Sequence, residues 1–257
     1  MSDSAWRGLH RFYVEGPLTT GAVVGVDELA RQLAGVLRLA PGATMVLFDG
    51  SGDEFLVELM SLTPRQAAAR VVAVRPCPAE PAFALTLYQC SLKQDKFEWV
   101  LQKGTELGVT RFVPVISSRS IVRPAAVLRS KYPRWRAILR EATEQCGRGR
   151  IPALAEPLTW DAAMAGRAPA DGPGLVAWEA AAGARSLAAA VATLADHARQ
   201  TGAALRLAVA VGPEGGLSAA ESAAAQACGW EVVSLGPRIL RAETAAISAA
   251  AVVAGLA

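Results

Sequence analysis

Val211-Gly212-Pro213-Glu214-Gly215-Gly216-Leu217-Ser218 and, further on, Leu235-Gly236-Pro237-Arg238-Ile239-Leu240-Arg241-Ala242-Glu243-Thr244 are the stretches that decide how this 257-residue chain folds. Each follows a short apolar run, Leu205 to Val211 and Trp230 to Leu235, which predicts a buried strand. Each leads into a helical pattern. Two strand–loop–helix units side by side put both loops at the carboxyl ends of parallel strands, where open α/β sheets bind ligands. Gly212, Gly215, Gly216 and Gly236 permit positive φ and close backbone approach, and Pro213 and Pro237 stiffen the turns. Ser218-x-x-Glu221 is a capping box that starts the next helix, and Gly229 suits its end. From Thr244 the chain is apolar on every face, which predicts a buried terminal helix.

The glycines do not make a nucleotide-phosphate loop, because no Gly-Lys-Ser/Thr follows them, and the dinucleotide Gly-x-Gly-x-x-Gly spacing is missing too. This disfavours a nucleotide-hydrolysing enzyme. A pair of tight turns with no ligand is the plain alternative.

Gly-Pro-Glu-Gly-Gly at 212–216, followed by Leu-Gly-Pro-Arg-Ile-Leu-Arg-Ala-Glu-Thr-Ala at 235–245, resembles the SPOUT methyltransferases. Within them it is most similar to the RsmE type, which methylates N3 of a uridine in small-subunit (16S) ribosomal RNA. The resemblance implies an α/β trefoil-knot domain, S-adenosylmethionine as methyl donor, and a homodimer. None of these follows from periodicity, and knots are rare enough that physics alone argues against one. The resemblance places cofactor contacts at Gly212, Pro213, Glu214, Gly215 and Gly216, and at Leu235, Gly236, Ile239, Leu240, Glu243 and Thr244. Apolar Leu235, Ile239 and Leu240 would wall the base, while loop amides and carbonyls hold adenine and ribose.

Composition sets the frame. At 52% hydrophobic and 19% charged, the chain has the make-up of a soluble globular protein with ample core. Its start lacks a signal-peptide pattern, and the terminal helix is too short and alanine-rich to span a bilayer. Cys77, Cys90, Cys146 and Cys228 show no metal or redox spacing, as expected for reduced thiols in a cytoplasmic protein without a metal. Net charge is only +3, but nine basic residues lie between Arg119 and Arg150 against Glu141 and Glu144 alone. From Val176 onward five arginines face six acids. A basic block beside a near-neutral ligand domain points to an anionic partner, here RNA. Arg11, Arg38, Arg123, Arg136, Arg140 and Arg148 are its expected RNA contacts.

Before the proline-rich Arg75-Pro-Cys-Pro-Ala-Glu-Pro81, several short strands and one helix (Glu28 to Arg38) suggest a small barrel. The turn Asp49-Gly50-Ser51-Gly52 signals a hairpin. Leu29, Leu33 and Val36/Leu37 should share the helix's buried face. Phe55, Val57 and Leu59 alternate with Glu54, Leu56 and Glu58, although Leu56 breaks the pattern. The resemblance makes this a PUA-like RNA-binding domain. Many relatives carry histidines where this chain has Arg31 and Gln32, so a role for them does not carry over. The expected organisation is 1–75, a linker at 76–82, and the methyltransferase domain at 83–257. In the second part, strands from Phe83, Arg111 and Leu175 alternate with helices Phe97–Leu107, Arg134–Cys146 and Arg185–Gln200, which predicts a parallel sheet. Lys103 and Glu106 read as a surface ion pair or a support for the site. His197 reads as a solvated surface residue.

Uracil N3 holds a proton at neutral pH, so methylation there must remove it or stabilise the resulting anion. Arg119, Arg238 and Arg241 are the candidates for that stabilisation. Glu214 or Glu243 could serve as a base, but a helix N-terminus lowers a carboxylate's pKa. A ribose 2′-O-methyltransferase of the same fold and a non-enzymatic RNA-binding assembly factor are the competing readings.

Overall fold

A computed structural model describes residues 3–180 and 183–257. The chain divides into two compact units. The first runs to Glu80 and also takes Thr143–Ile151; the second holds Pro81–Ala142 and Pro152–Ala257. The segment 143–151, which the sequence assigns to the second domain, thus packs with the first.

The first unit is a five-stranded sheet. Its strands are β1 (Arg11–Tyr13), β2 (Val23–Gly25), β3 (Thr44–Phe48), β4 (Asp53–Leu62) and β5 (Ala67–Pro76), in the order β1-β3-β4-β5-β2. Only β1 and β3 run parallel. This mostly antiparallel sheet fits the barrel-like domain expected of the sequence, and the Asp49–Gly52 turn joins β3 to β4 as predicted. One face buries Phe12, Leu33, Met45, Leu47, Phe55, Val57 and Leu59. Leu56 breaks the alternation because the other face is covered as well, by Trp6, which packs with Leu56 and its strand neighbour Val46. Beside it Glu54 is 1% exposed and holds two arginines, Arg11 and Arg75. Burying that carboxylate unpaired would cost several kcal/mol.

The expected helix at 28–38 is less regular than predicted. A 3-10 turn at Asp27–Leu29 runs into a π turn at Gln32–Val36. The π turn, closed by Leu37 N donating to Gln32 O at 2.9 Å, underwinds the chain. Leu33 stays buried while Val36 turns outward, 75% exposed, so Val36 does not share the buried face.

The second unit is built on a parallel sheet of β6 (Ala84–Cys90), β7 (Val109–Ile116), β8 (Ala153–Leu154), β9 (Leu158–Thr159), β10 (Gly174–Ala177), β11 (Arg206–Val211) and β12 (Trp230–Val233). The order is β12-β10-β11-β6-β7-β8, with β9 also on β7. Its helices are α1 (Lys96–Glu106), α2 (Ala125–Arg129), α3 (Tyr132–Cys146, whose last turn from Thr143 belongs to the first unit), α4 (Trp160–Ala165), α5 (Leu187–Thr201), α6 (Ala219–Ala227) and α7 (Ala242–Leu256). α1 and α5 pack on α7, and α4 packs on α6. Covered on both faces, the central strands read as unbroken apolar runs, as parallel strands do. Ala208 and Ala210 meet Trp160, Leu217 and Trp230 on one side; Leu207 and Val209 point to the other and are also fully buried. Close helix–sheet contact explains Gly104, where an added Cβ would lie 2.8 Å from the Phe112 ring. Helix α7 is not buried all round: Ala246, Ala249, Ala250 and Val253 are inside, whereas Ala251, Ala254 and Gly255 are exposed. Small apolar residues on every face do not by themselves say how many faces are covered.

Candidate active site

Three strands, not two, deliver the loops. β10 lies between β11 and β12, and Ala177 is in register with Val211 on one side and Val233 on the other. All three chains therefore leave the sheet at one level. Around their ends lies a cavity of about 340 Å³. The β11 loop lines it with Gly212, Pro213, Glu214 and Gly216, and the β12 loop with Leu235, Gly236, Arg238, Ile239, Leu240 and Arg241. The β10 end adds Trp178 and Glu179, and the start of α1 adds Lys96. The sequence reading missed these last three. Trp178 and Glu179 merely end a strand, and Lys96 sits in a polar stretch whose partners lie more than a hundred residues away in the chain.

The loops are held by specific bonds. Gly216, with φ +67°, closes its turn by donating from N to Pro213 O at 2.9 Å. Trp178 Nε1 donates to Leu217 O at 3.2 Å, tying the β10 end to this loop. Beneath it, buried Gln89 donates from Nε2 to Cys90 O at 2.9 Å and more weakly to Gly212 O at 3.4 Å. The predicted capping box is present at Ser218 and Glu221. Glu221 also accepts from Ser118 N at 2.7 Å, so one carboxylate joins the α6 start to the loop after β7. Burial alone would raise its pKa, but the hydrogen bonds from Ser218 and Ser118 outweigh that and hold it below the ordinary value.

The candidate arginines separate. Arg238 and Arg241 line the cavity, are exposed, and have no ion-pair partner among the described residues. Arg119 does not line it. Its Nη1 donates to Gly215 O at 3.1 Å, and a Cβ on Gly215 would lie 3.1 Å from that of Arg119. Gly215 is thus needed for contact between two loops rather than for the cavity wall. Thr244 is exposed and, like Glu243, lies off the cavity wall. Glu243 instead approaches Lys96 Nζ at 3.4 Å.

Among the proposed RNA contacts, Arg136 and Arg140 are exposed on α3, and Arg38 is exposed in the first unit. Arg123 is exposed too, but it braces the loop after β7, donating to Ser118 O and Ser120 O at 2.7 Å each. Two others are drawn inward. Arg148 is 3% exposed and pairs with Glu80. Arg11 is committed to Glu54 and also reaches Arg148 O. The basic block is therefore less free than its sequence density suggests. Lys103 and Glu106 form the i,i+3 pair at 2.9 Å, away from the cavity wall. No group of three or more potential metal ligands occurs among the described residues, and no helix among them is long and apolar enough to cross a membrane.

The chain is similar to known proteins. A family model described as an RNA methyltransferase domain matches residues 79–254. The ribosomal RNA small subunit methyltransferase E of Synechocystis is 32% identical over 216 residues, which are 82% of this chain and 65% of that protein. The protein of the same name in Mycobacterium tuberculosis is 32% identical over 241 residues, 91% of this chain and 87% of its own. Among solved structures, ribosomal RNA small subunit methyltransferase E from Neisseria gonorrhoeae, bound to S-adenosyl methionine, has 33% identity and a TM-score of 0.81 over 95% of each chain. A putative methyltransferase from Legionella pneumophila, in complex with the same cofactor, has 29% identity and a TM-score of 0.79, covering 95% of this chain and 96% of its own. A chain matched by the family model over residues 79–254, both glycine loops included, and by relatives that cover more than nine-tenths of its length belongs to the RNA methyltransferase family, in its ribosomal RNA small subunit methyltransferase E branch.

Proposed function

We propose that this protein transfers the methyl group of S-adenosylmethionine to N3 of a uridine in 16S ribosomal RNA. The observation that carries the proposal is the cavity at the three strand ends, walled by glycine backbone and apolar side chains and rimmed by two unpaired arginines. Its volume of about 340 Å³ suits a nucleoside-sized ligand. A Cβ on Gly236 would meet nothing within 4 Å, so this backbone stands open to a ligand. Leu235, Ile239 and Leu240 offer an apolar wall for a purine, and Glu179 offers a carboxylate at the rim. When bound, the donor supplies an electrophilic methyl on a sulfonium, and the chemistry calls for no metal.

The protein's own task is the acceptor. Arg238 and Arg241 carry positive charge to the place where the uracil anion forms, and charge held ready in a site lowers the barrier. Arg119 acts through Gly215, holding the glycine loop in place. The target base leaves its stack to reach the methyl. Arg136, Arg140 and Arg38 hold the phosphate backbone, a role that fixes register rather than reading sequence. Arg11 and Arg148 support the first unit instead. The trefoil knot and the homodimer that the family resemblance implies belong to the same proposal. The exposed face of α7, with Ala251, Ala254 and Gly255, suits close packing against a second copy. A cytoplasmic ribosomal subunit is the expected setting.

The test is tritium transfer from labelled S-adenosylmethionine to unmethylated small ribosomal subunits, followed by nucleoside analysis. Label in 3-methyluridine supports the proposal. Label in a 2′-O-methyl nucleoside would overturn the acceptor atom. Absence of both transfer and donor binding would favour an assembly factor.

A further inference from the structure

Lys96 stands where helix electrostatics disfavour it. It is the first residue of α1, and a cation at a helix N-terminus opposes the dipole. What it meets there is a pair of carboxylates from two other elements. Its Nζ lies 3.7 Å from Glu214 Oε1 and 3.4 Å from Glu243 Oε2. Glu214 comes from the β11 loop and Glu243 from the first turn of α7. Glu214 Oε1 also accepts from Lys93 N at 2.9 Å. The Oε2 atoms of both glutamates are buried without a hydrogen bond; among the described residues, that of Glu243 has only the 3.4 Å approach of Lys96, and that of Glu214 has no cation at all, so each would take another donor if one came within reach. Arg241 lies two residues before Glu243, and Arg238 and Arg241 share the cavity wall with Glu214.

From this juxtaposition we infer that Lys96 is a positioning residue. It holds Glu214 and Glu243 on the α1 side of the cavity and so leaves Arg238 and Arg241 unpaired for the anion formed on the acceptor base. The inference rests on the proposed methyl transfer for its purpose, but not for its electrostatics. Without Lys96 the two carboxylates lose their neighbouring cation, and the unpaired arginines that share the cavity wall with Glu214 become partners for them, alongside Lys93, whose N already donates to Glu214. An arginine paired with a carboxylate is a poorer partner for a developing anion, because its charge is already neutralised.

The experiment uses the full-length protein and four variants: Lys96→Met, Lys96→Gln, Lys96→Arg and the double variant Lys96→Met/Glu214→Gln. Phenylglyoxal modification of Arg238 and Arg241, followed by mass spectrometry, reads arginine pairing without any turnover. Kinetics of 3-methyluridine formation and calorimetry with S-adenosylmethionine run beside it. In Lys96→Met the arginines should react about threefold more slowly, the protection a partly exposed ion pair sustains. The kcat should fall about three- to tenfold, according to whether one or both arginines are drawn into pairing to that extent, with donor Kd changed by less than about threefold. Lys96→Arg should behave as wild type, and Glu214→Gln in the Lys96→Met background should restore arginine reactivity, whatever the change at the cavity wall that Glu214 lines does to the rate. A generally loosened fold would not be repaired by removing a second charge. Lys96→Gln carries the same test if the methionine variant does not fold. Equal arginine reactivity in wild type and the neutral variants, or a double variant whose arginines react no faster than those of the single, overturns the inference. The expected reactivity pattern in a protein that forms no 3-methyluridine would uphold the electrostatic arrangement and sink the proposed substrate instead.

Discussion

Replacing Gly216 by alanine tests whether the turn after β11 is needed in its observed form. Gly216 sits at φ +67°, a left-handed conformation that costs a residue with a Cβ about 1–2 kcal/mol. The added Cβ would also lie 2.1 Å from Glu179 Oε1 and 3.1 Å from its Cδ. Glu179 is exposed, so its side chain can swing away at little cost in stability, but its carboxylate then leaves the cavity rim. The two effects separate in two assays. For a chain of this size each kcal/mol corresponds to about 2–4 °C, so thermal melting should show a loss of about 2–8 °C. Calorimetry with S-adenosylmethionine should show weakened donor binding, since both residues line the cavity. Two neighbours calibrate the result. Gly236→Ala imposes φ +113° but meets nothing within 4 Å, so it should cost stability through strain alone. Gly215→Ala has no positive φ and only presses on Arg119 at 3.1 Å, so it should cost less stability than Gly216→Ala. A Gly216→Ala protein that melts with wild type and binds the donor with wild-type affinity would refute the reasoning.

Three further outcomes are expected. Arg241→Ala should lower kcat by about 10²–10³, the usual loss when one stabiliser of a developing anion is removed, with donor Kd unchanged; Arg119→Ala should instead weaken donor binding, because it releases Gly215 O. Glu221 has a folded pKa below its ordinary 4.5, so its contribution is present above 4.5 and is lost as pH falls through the lower folded value; urea midpoints measured across that range should fall more steeply for wild type than for Glu221→Gln. Burial pushes the Cys90 thiol up to about 12, whereas Cys228 is an exposed free thiol; iodoacetamide should label Cys228 first and Cys90 last, as peptide mass spectrometry would report.

Local signals carried the sequence reading a long way. The buried strand ending at Val211, the Ser218–Glu221 capping box and the inward face of α1 depend on residues a few positions apart, and the structure has all of them; the strand expected at 230–235 is present at Trp230–Val233 but lies at the sheet edge with Glu231 exposed, so it is only partly buried. The glycine loops were legible for the same reason, since positive φ and turn closure are local demands on a backbone. The errors came where a residue's environment is made by distant chain. Val36 faces solvent because a π turn rotates it, and Leu56 is inside because Trp6 covers the second face of its sheet. Arg11 and Arg148 looked free for RNA until Glu54 and Glu80 were placed beside them.

By itself, then, the sequence determined which segments form strands and helices, where the ligand loops lie, and that the second half is a parallel α/β domain. Periodicity, caps and glycines act over one or two turns of chain, and so they can be read in one dimension. Only the tertiary structure decided that β10 lies between β11 and β12, that Glu179 and Lys96 join the cavity, and that Arg238 and Arg241 line it while Arg119 does not. Strand order and charge pairing depend on contacts between residues far apart in the chain, and no local pattern records them.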